Sequence, residues 1–333
     1  MRFLIYSLLF TLCSWPAFAD AGAFDMERWN NIMDDIRTRA AAEEISNDTV
    51  DAVMQNAVFI PGVVHRDKNQ SEFKLTMDEY LRRTVNATRI KEGRATRTKY
   101  PTLLRRTHET YGIPPHVILA FWGLESNYGK FKTQYKISDA YLTLIYNGRR
   151  EKFFTEQLMA LMKVADRGRM SIDSLRGSWA GAMGHFQFIP TTLLQYAVDG
   201  NNDGRIDIIN SESDAMFSAG NYLKKLGWET DGRIVRAVAI PANFDVSLCD
   251  AKTKRTHAEW AMAGVVTIDY SYLPGGGAPV GIVCESNTES VELDEIGRMP
   301  AYLTYDNFYR IKKWNNSNVY AVAIALLADA LKQ

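Results

Sequence analysis

PPHVILAFWGLESNYGK, residues 114–130, places a single acid, Glu125, near the end of a run that is otherwise apolar and aromatic. Pro114 and Pro115 suit the first turn of a helix, where a missing N–H costs least. HVILAFWGLE then continues with apolar residues on nearly every side, the composition of a buried helix. Gly129 is placed to end that helix in the left-handed conformation. Glu125 therefore falls in the last turn, with Phe121 and Trp122 one turn before it on the same side. Partial desolvation there raises a carboxyl pKa and keeps its proton nearer neutral pH, the property of a general acid. The alternative from position alone is a helix-end glutamate that points into solvent or pairs with Lys130, Lys132 or Arg149.

Around this stretch the chain has 333 residues, 46% of them hydrophobic, enough for a sizeable core in one large domain or two smaller ones. Its 39 basic and 39 acidic residues balance, which disfavours a nucleic-acid polyanion as partner and favours a neutral or mixed-charge ligand. The N-terminus, MRFLIYSLLFTLCSWPAFAD, reads as a secretory signal peptide. Arg2 supplies the positive region, an apolar run follows, and Ala17–Ala19 forms the cleavage site. The run is too short to span a membrane, and no later segment is long and apolar enough to do so. Cleavage after Ala19 and export are expected. The mature chain keeps two cysteines, Cys249 and Cys284, which an oxidising compartment would bridge; two buried thiols are the alternative.

Residues 20–95 read as a helical N-terminal region, with amphipathic stretches such as MERWNNIMDDIRTRAAAEE, and residues 96–230 as a mainly helical body. Residues 231–300 change character: AVAIPANFDV, GVVTIDYSYL and PVGIVCES are strand-like, with PGGGAP as punctuation. Residues 301–333 end in another helix, SNVYAVAIALLADALKQ.

The segment GSWAGAMGHFQFIPTTLLQYAVD, residues 177–199, sets Gly177, Gly181 and Gly184 among small residues, which permits close backbone approach. It interleaves Ser178, Gln187 and Tyr196 with Trp179, Phe186 and Phe188, a mixture that suits the hydroxyl edges and apolar faces of a sugar. Tight helix packing is the other reading of the same residues.

GLESNYG, GSWAGAMGHFQFIP and IYNGRR together resemble the lytic murein transglycosylase B family, glycoside hydrolase family 103, from about Tyr80 to Leu331. GLESNYG is similar to the family's GVETRWG-type motif, which implies Glu125 as the catalytic acid. GSWAGAMGHFQFIP is similar to its GSFAGAMGxxQFMP signature, which implies glycan contacts by Ser178, Met183 and Gln187. The same matching puts Tyr80, Arg149, Arg150, Tyr222, Asn307 and Tyr309 in the cleft. Tyr128, where the family often has Trp, and the altered insert are departures that bear on subsite preference.

The resemblance implies a mainly α (α+β) fold: a lysozyme-like core, the helical N-terminal region, a small β-rich insert and a C-terminal segment that completes the core. It further implies peptidoglycan glycan strands as the ligand, the periplasm as the location, and a lytic transglycosylase with Glu125 as acid and then base. No cofactor is required for that chemistry. A muramidase with two carboxylates and a silent wall-binding scaffold are the alternatives.

DGNNDGRIDIIN, residues 199–210, follows the EF-hand loop, with oxygen ligands from Asp199, Asn201, Asp203, the Arg205 carbonyl and Asp207, and Gly204 at the turn. Its twelfth position is Asn210 instead of the bidentate Glu, which weakens calcium binding unless Glu212 or Asp214 compensates. The resemblance implies a single structural calcium ion; a polar loop without metal is the other reading.

Overall fold

The computed structural model describes residues 24–68, 75–131, 134–167, 172, 175–285 and 293–332. The expected signal peptide with its cleavage after Ala19, and Lys132, lie outside the described residues. Among the described residues no helix is long and apolar enough to cross a membrane.

Five helices build the N-terminal region: α1 (Met26–Ala42), α2 (Asn47–Met54), α3 (Pro61–Lys68), α4 (Met77–Thr84) and α5 (Ala87–Lys99). Polar side chains start most of them. Asp25, Ser46, Thr76 and Asn86 each accept an N–H of the first turn, and Thr76 with Glu79 forms a capping box. The body continues with α6 (Pro101–Tyr111), α7 (Pro115–Ser126), α8 (Ile137–Asn147), α9 (Glu151–Asp166), α10 (Pro190–Tyr196) and α11 (Glu212–Lys225). A two-residue ribbon, β1 (Tyr135–Lys136) with β2 (Arg176–Gly177), ties the start of α8 to the glycine-rich loop that follows α9.

The helix α7 occupies the centre, as its composition requires. Val117 to Gly123 are all buried, and α5, α6, α11 and the C-terminal helix pack around it. Its end is abrupt because Asn127, Tyr128 and Gly129 are all left-handed, with φ of 50°, 58° and 79°. That turn wedges Tyr128 between α5 and α7, with its hydroxyl donating to the Arg89 carbonyl at 2.9 Å. Tyr128 is thus an internal spacer, buried and outside the cleft lining.

The insert is a four-stranded antiparallel sheet in the order β4-β3-β6-β5. Its strands are β3 (Val235–Pro241), β4 (Val266–Thr267), β5 (Gly281–Cys284) and β6 (Arg298–Thr304), and α12 (His257–Met262) lies between β3 and β4. Val238 faces Ala301 across the central pair, and a second core gathers Ile240, Trp260, Val265, Ile282 and Leu303. GVVTIDYSYL gives only two strand residues. Asp269 accepts from the Thr267 and Ser271 hydroxyls and folds the rest into a turn. Cys249 and Cys284 are bridged, with Cα atoms 5.4 Å apart, joining the segment after β3 to β5. Two helices close the chain: α13 (Asp306–Trp314), which packs on α14, and α14 (Asn318–Ala330), which is buried against α7.

Candidate active site

The end of α7 is clamped from below. The Ser126 hydroxyl donates to the His185 carbonyl at 2.6 Å and accepts the Gly129 N–H at 2.9 Å. The Trp122 indole N–H donates to His185 Nδ1 at 3.0 Å, so that nitrogen is an acceptor, in keeping with burial lowering the His185 pKa. These bonds fix the last turn of α7 against residues 184–188.

Glu125, half-buried on that turn, lines a cleft of about 590 Å³. Its Oε1 accepts from the Trp314 indole N–H at 3.0 Å and from the Tyr320 hydroxyl at 2.5 Å. Tyr320 is 5% exposed. Burial first, and then the neighbouring carboxylate, push its phenol well above the ordinary range, so it remains a protonated donor. Lys130 instead pairs with Glu92, at 2.7 Å, and Arg149 with Asp67, so these two of the three cations open to Glu125 by position are engaged elsewhere.

The glycine-rich loop supplies one wall. Gly181 and Gly184 carry φ of 80° and 72°; a Cβ at Gly184 would meet the Ile208 carbonyl and one at Gly181 the Tyr141 ring. The loop presents Ser178, Trp179, Ala180, Ala182 and Gln187 to the cleft. Gln187 is itself left-handed, φ 49°, held by its side-chain amide donating to the Gly184 carbonyl at 2.8 Å. Tyr80 from α4, Arg66 from α3 and Arg150 from the start of α9 form the opposite side.

Six of the residues singled out by sequence therefore meet around one space: Glu125, Tyr80, Arg150, Ser178 and Gln187 line it, and Tyr222 stands behind it, stacked on Trp314 at 4.8 Å. Arg149 faces a separate surface hollow with Arg39 and Lys152. Met183 is fully enclosed and pairs its backbone with Phe188, so it supports the loop from beneath. Asn307 and Tyr309 require correction. Asn307 is fully buried, and its amide bonds the Glu229 and Gly232 carbonyls and the Glu229 N–H. The Tyr309 hydroxyl donates to the Ala251 carbonyl at 2.6 Å, toward the insert. The beginning of α13 faces the insert; its end brings Trp314, Asn315 and then Tyr320 to the cleft. Sequence reading missed these three. The legible signal was Tyr320 itself, a hydroxyl inside the otherwise apolar run VYAVAIALL, which must find a partner once buried.

The loop 199–210 makes the glycine turn of an EF-hand, with Gly204 at φ 84° and Asp199 accepting the N–H groups of Asn202 and Gly204 at 2.6 and 2.8 Å. Among the described residues no three acidic, His or Cys groups are gathered as a cation would need. The Asn210 amide donates to Asp207 at 2.8 Å, where an EF-hand has its bidentate acid. The compensating candidates are committed. Asp214, 1% exposed, takes the Gly200 and Asp207 N–H groups at 2.9 and 2.7 Å, and Glu212 takes the Tyr100 hydroxyl at 2.7 Å. The residues present thus fit the turn of a calcium loop but only a weak set of ligands.

Residues 28–329 match the family described as Transglycosylase SLT domain. Membrane-bound lytic murein transglycosylase B of Escherichia coli (strain K12) is 29% identical over 258 residues, covering 76% of this chain and 66% of that protein. The chain thus spans slightly under two thirds of the length of that relative. SltB3 from Pseudomonas aeruginosa, solved in complex with NAG-NAM-pentapeptide and with NAG-anhNAM-pentapeptide, is 35% identical with a TM-score of 0.82, over 91% of this chain and 79% of that one. The Escherichia coli Slt35 structure in complex with calcium is 25% identical with a TM-score of 0.75, over 91% of this chain and 92% of that one.

Proposed function

The chain belongs to the transglycosylase SLT domain family, and from that premise we propose that it is a peptidoglycan lytic transglycosylase, with Glu125 as its single acid and base. One observation carries the reading: Glu125 is the only carboxylate among the described residues that line the cleft. A two-carboxylate glycosidase needs its second acid about 5 to 9.5 Å from the first. Asp139 is buried within α8, and Glu151 lines a different hollow, so neither takes that role.

In this mechanism Glu125 first donates its proton to the glycosidic oxygen between N-acetylmuramic acid and N-acetylglucosamine, and the bond from that oxygen to the anomeric carbon breaks. The substrate's own N-acetyl carbonyl stabilises the positive charge left on the carbon. Glu125, now a carboxylate whose Oε1 is held by Trp314 and Tyr320, takes the proton of the C6 hydroxyl of the same muramoyl residue. That oxygen closes on the anomeric carbon, giving a 1,6-anhydromuramoyl end without consuming water. Ser178 and Gln187 orient the glycan, Tyr80 and Trp179 offer ring faces, and Arg150 offers guanidinium donors. The presence of stem peptide on the sugars bound by SltB3 supports the same substrate class here. The leader-like N-terminus and the disulfide support export to the cell envelope, with the periplasm as the location. Digestion of purified peptidoglycan followed by mass spectrometry tests the reaction: fragments with anhydro ends are expected, and fragments that have gained a water would instead establish a muramidase.

A calcium ion, by this reading, is a weakly held structural ion that takes no part in the chemistry. Asp199, Asn201, Asp203, Asp207 and the Arg205 carbonyl would hold it. With Asn210 at the twelfth position, calorimetry on chelator-treated protein should detect binding only at roughly 10⁻⁴ to 10⁻³ M calcium. Micromolar affinity, or no binding even at millimolar calcium, would refute that assignment.

A further inference from the structure

Asp67 closes the last turn of α3 and is 0% exposed, although the two side chains that pair with it reach the surface. Its Oδ1 accepts from Arg150 Nη2 at 2.6 Å, and its Oδ2 accepts from the Asn147 amide at 3.3 Å and lies 3.7 Å from Arg149 Nη1. The Asp67 carbonyl also accepts from Arg149. One buried carboxylate thus gathers the whole NGRR segment that joins α8 to α9. Of its two arginines, Arg150 stands between the two spaces, lining both the outer hollow and the cleft with Glu125, whereas Arg149 lines only the outer hollow. Arg150 is further confined by the Phe154 ring, whose centroid lies 4.9 Å from the guanidinium carbon.

An arginine with 41% of its side chain exposed would otherwise sample many rotamers, and a ligand would have to order it on binding. A charge sealed from water is tolerated only when its partners are in place, so the pairing holds the guanidinium in one direction before substrate arrives. We propose that Asp67 is a positioning residue that aims Arg150 into the cleft and so sets the affinity for the glycan. This rests on the cleft being the glycan site. Asp67 touches no reacting atom; it acts through Arg150.

The test combines Asp67→Asn, Arg150→Gln and the double variant, each measured for turnover of peptide-bearing glycan and, by calorimetry, for binding of a GlcNAc–MurNAc tetrasaccharide with stem peptides. Asp67→Asn keeps the shape and removes the charge. KM and the dissociation constant should each rise about tenfold with kcat within about twofold, the pattern of lost uniform binding. Arg150→Gln, a change at a surface side chain, should give the same loss, and the double variant should be no worse than the single ones. Unchanged affinity in Arg150→Gln, additive losses in the double variant, or a fall in kcat alone would each overturn the assignment, the last marking a merely structural tie. Should Asp67→Asn fail to fold, Arg150→Gln still decides. A wild-type chain that binds the tetrasaccharide without cleaving it would refute the proposed reaction, while the binding losses would still uphold the role of Asp67.

Discussion

Glu125→Gln should leave the fold in place and lower the release of anhydromuramoyl fragments by at least the roughly 100-fold to 10,000-fold attributed to general acid-base catalysis. The substitution is close to isosteric. The amide oxygen can still accept from Trp314 and Tyr320, the two donors that now hold Oε1, so the aromatic surroundings need not move. What is lost is the proton for the glycosidic oxygen and the base for the C6 hydroxyl, both of which the proposed mechanism takes from this one residue. Fragment release quantified by mass spectrometry, with a thermal melt as the control for folding, gives the answer. A variant that keeps wild-type activity would remove Glu125 from the chemistry.

Tyr320→Phe should have the second largest effect, a fall of roughly 10-fold to 100-fold. The substitution keeps the ring in its buried site and deletes a hydroxyl that can donate only as long as the phenol stays protonated, which burial ensures. A hydrogen bond to a charged group contributes about 1.5 to 3 kcal/mol, and about 1.4 kcal/mol in a barrier is tenfold in rate. The loss should fall on kcat, because the hydroxyl faces the carboxylate and not the sugar. Trp314→Phe, which removes the other donor to Oε1, should shift activity in the same direction. If Tyr320→Phe turns over at the wild-type rate, the tyrosine only packs the core behind Glu125.

The central helix was legible because HVILAFWGLE is apolar on nearly every side and such a segment packs in the middle, whereas position alone left its closing acid free to face either the interior or solvent. The glycine-rich loop was legible through its resemblance to the family signature, since its residues alone fit tight helix packing equally well. Gly184 sits where any side chain would collide with the Ile208 carbonyl, and the residues between such points are held in place for contact. The other wall was harder to read. Asn307 and Trp314 lie two turns apart on the same helix, and nothing in DNFYRIKKWN says which end meets the insert and which meets the acid. That choice depends on how β6 leaves the sheet, a tertiary property. Asp67 was equally hidden, as one acid in a charged helix whose burial follows only from the approach of residues 147–150. In the insert, the β-branched content of GVVTIDYSYL pointed to a strand, and the local bonds of Asp269 prevailed over that propensity.

The acid and one of its two donors are separated by 195 residues, the other by 189, and the nearer parts of the cleft come from α3, α4 and the loop after α9. Loop closure over such distances is slow to nucleate and is completed only when α14 docks against α7. A ribosome delivers these pieces in order. A nascent chain that has not yet released residue 320 carries Glu125 without Tyr320 and α7 without the full cover of α14. Time, then, is part of the architecture. The groups that hold the acid, Trp314 and Tyr320, are synthesised near the end of the described chain, so a copy that stops before them lacks both donors to Glu125 Oε1.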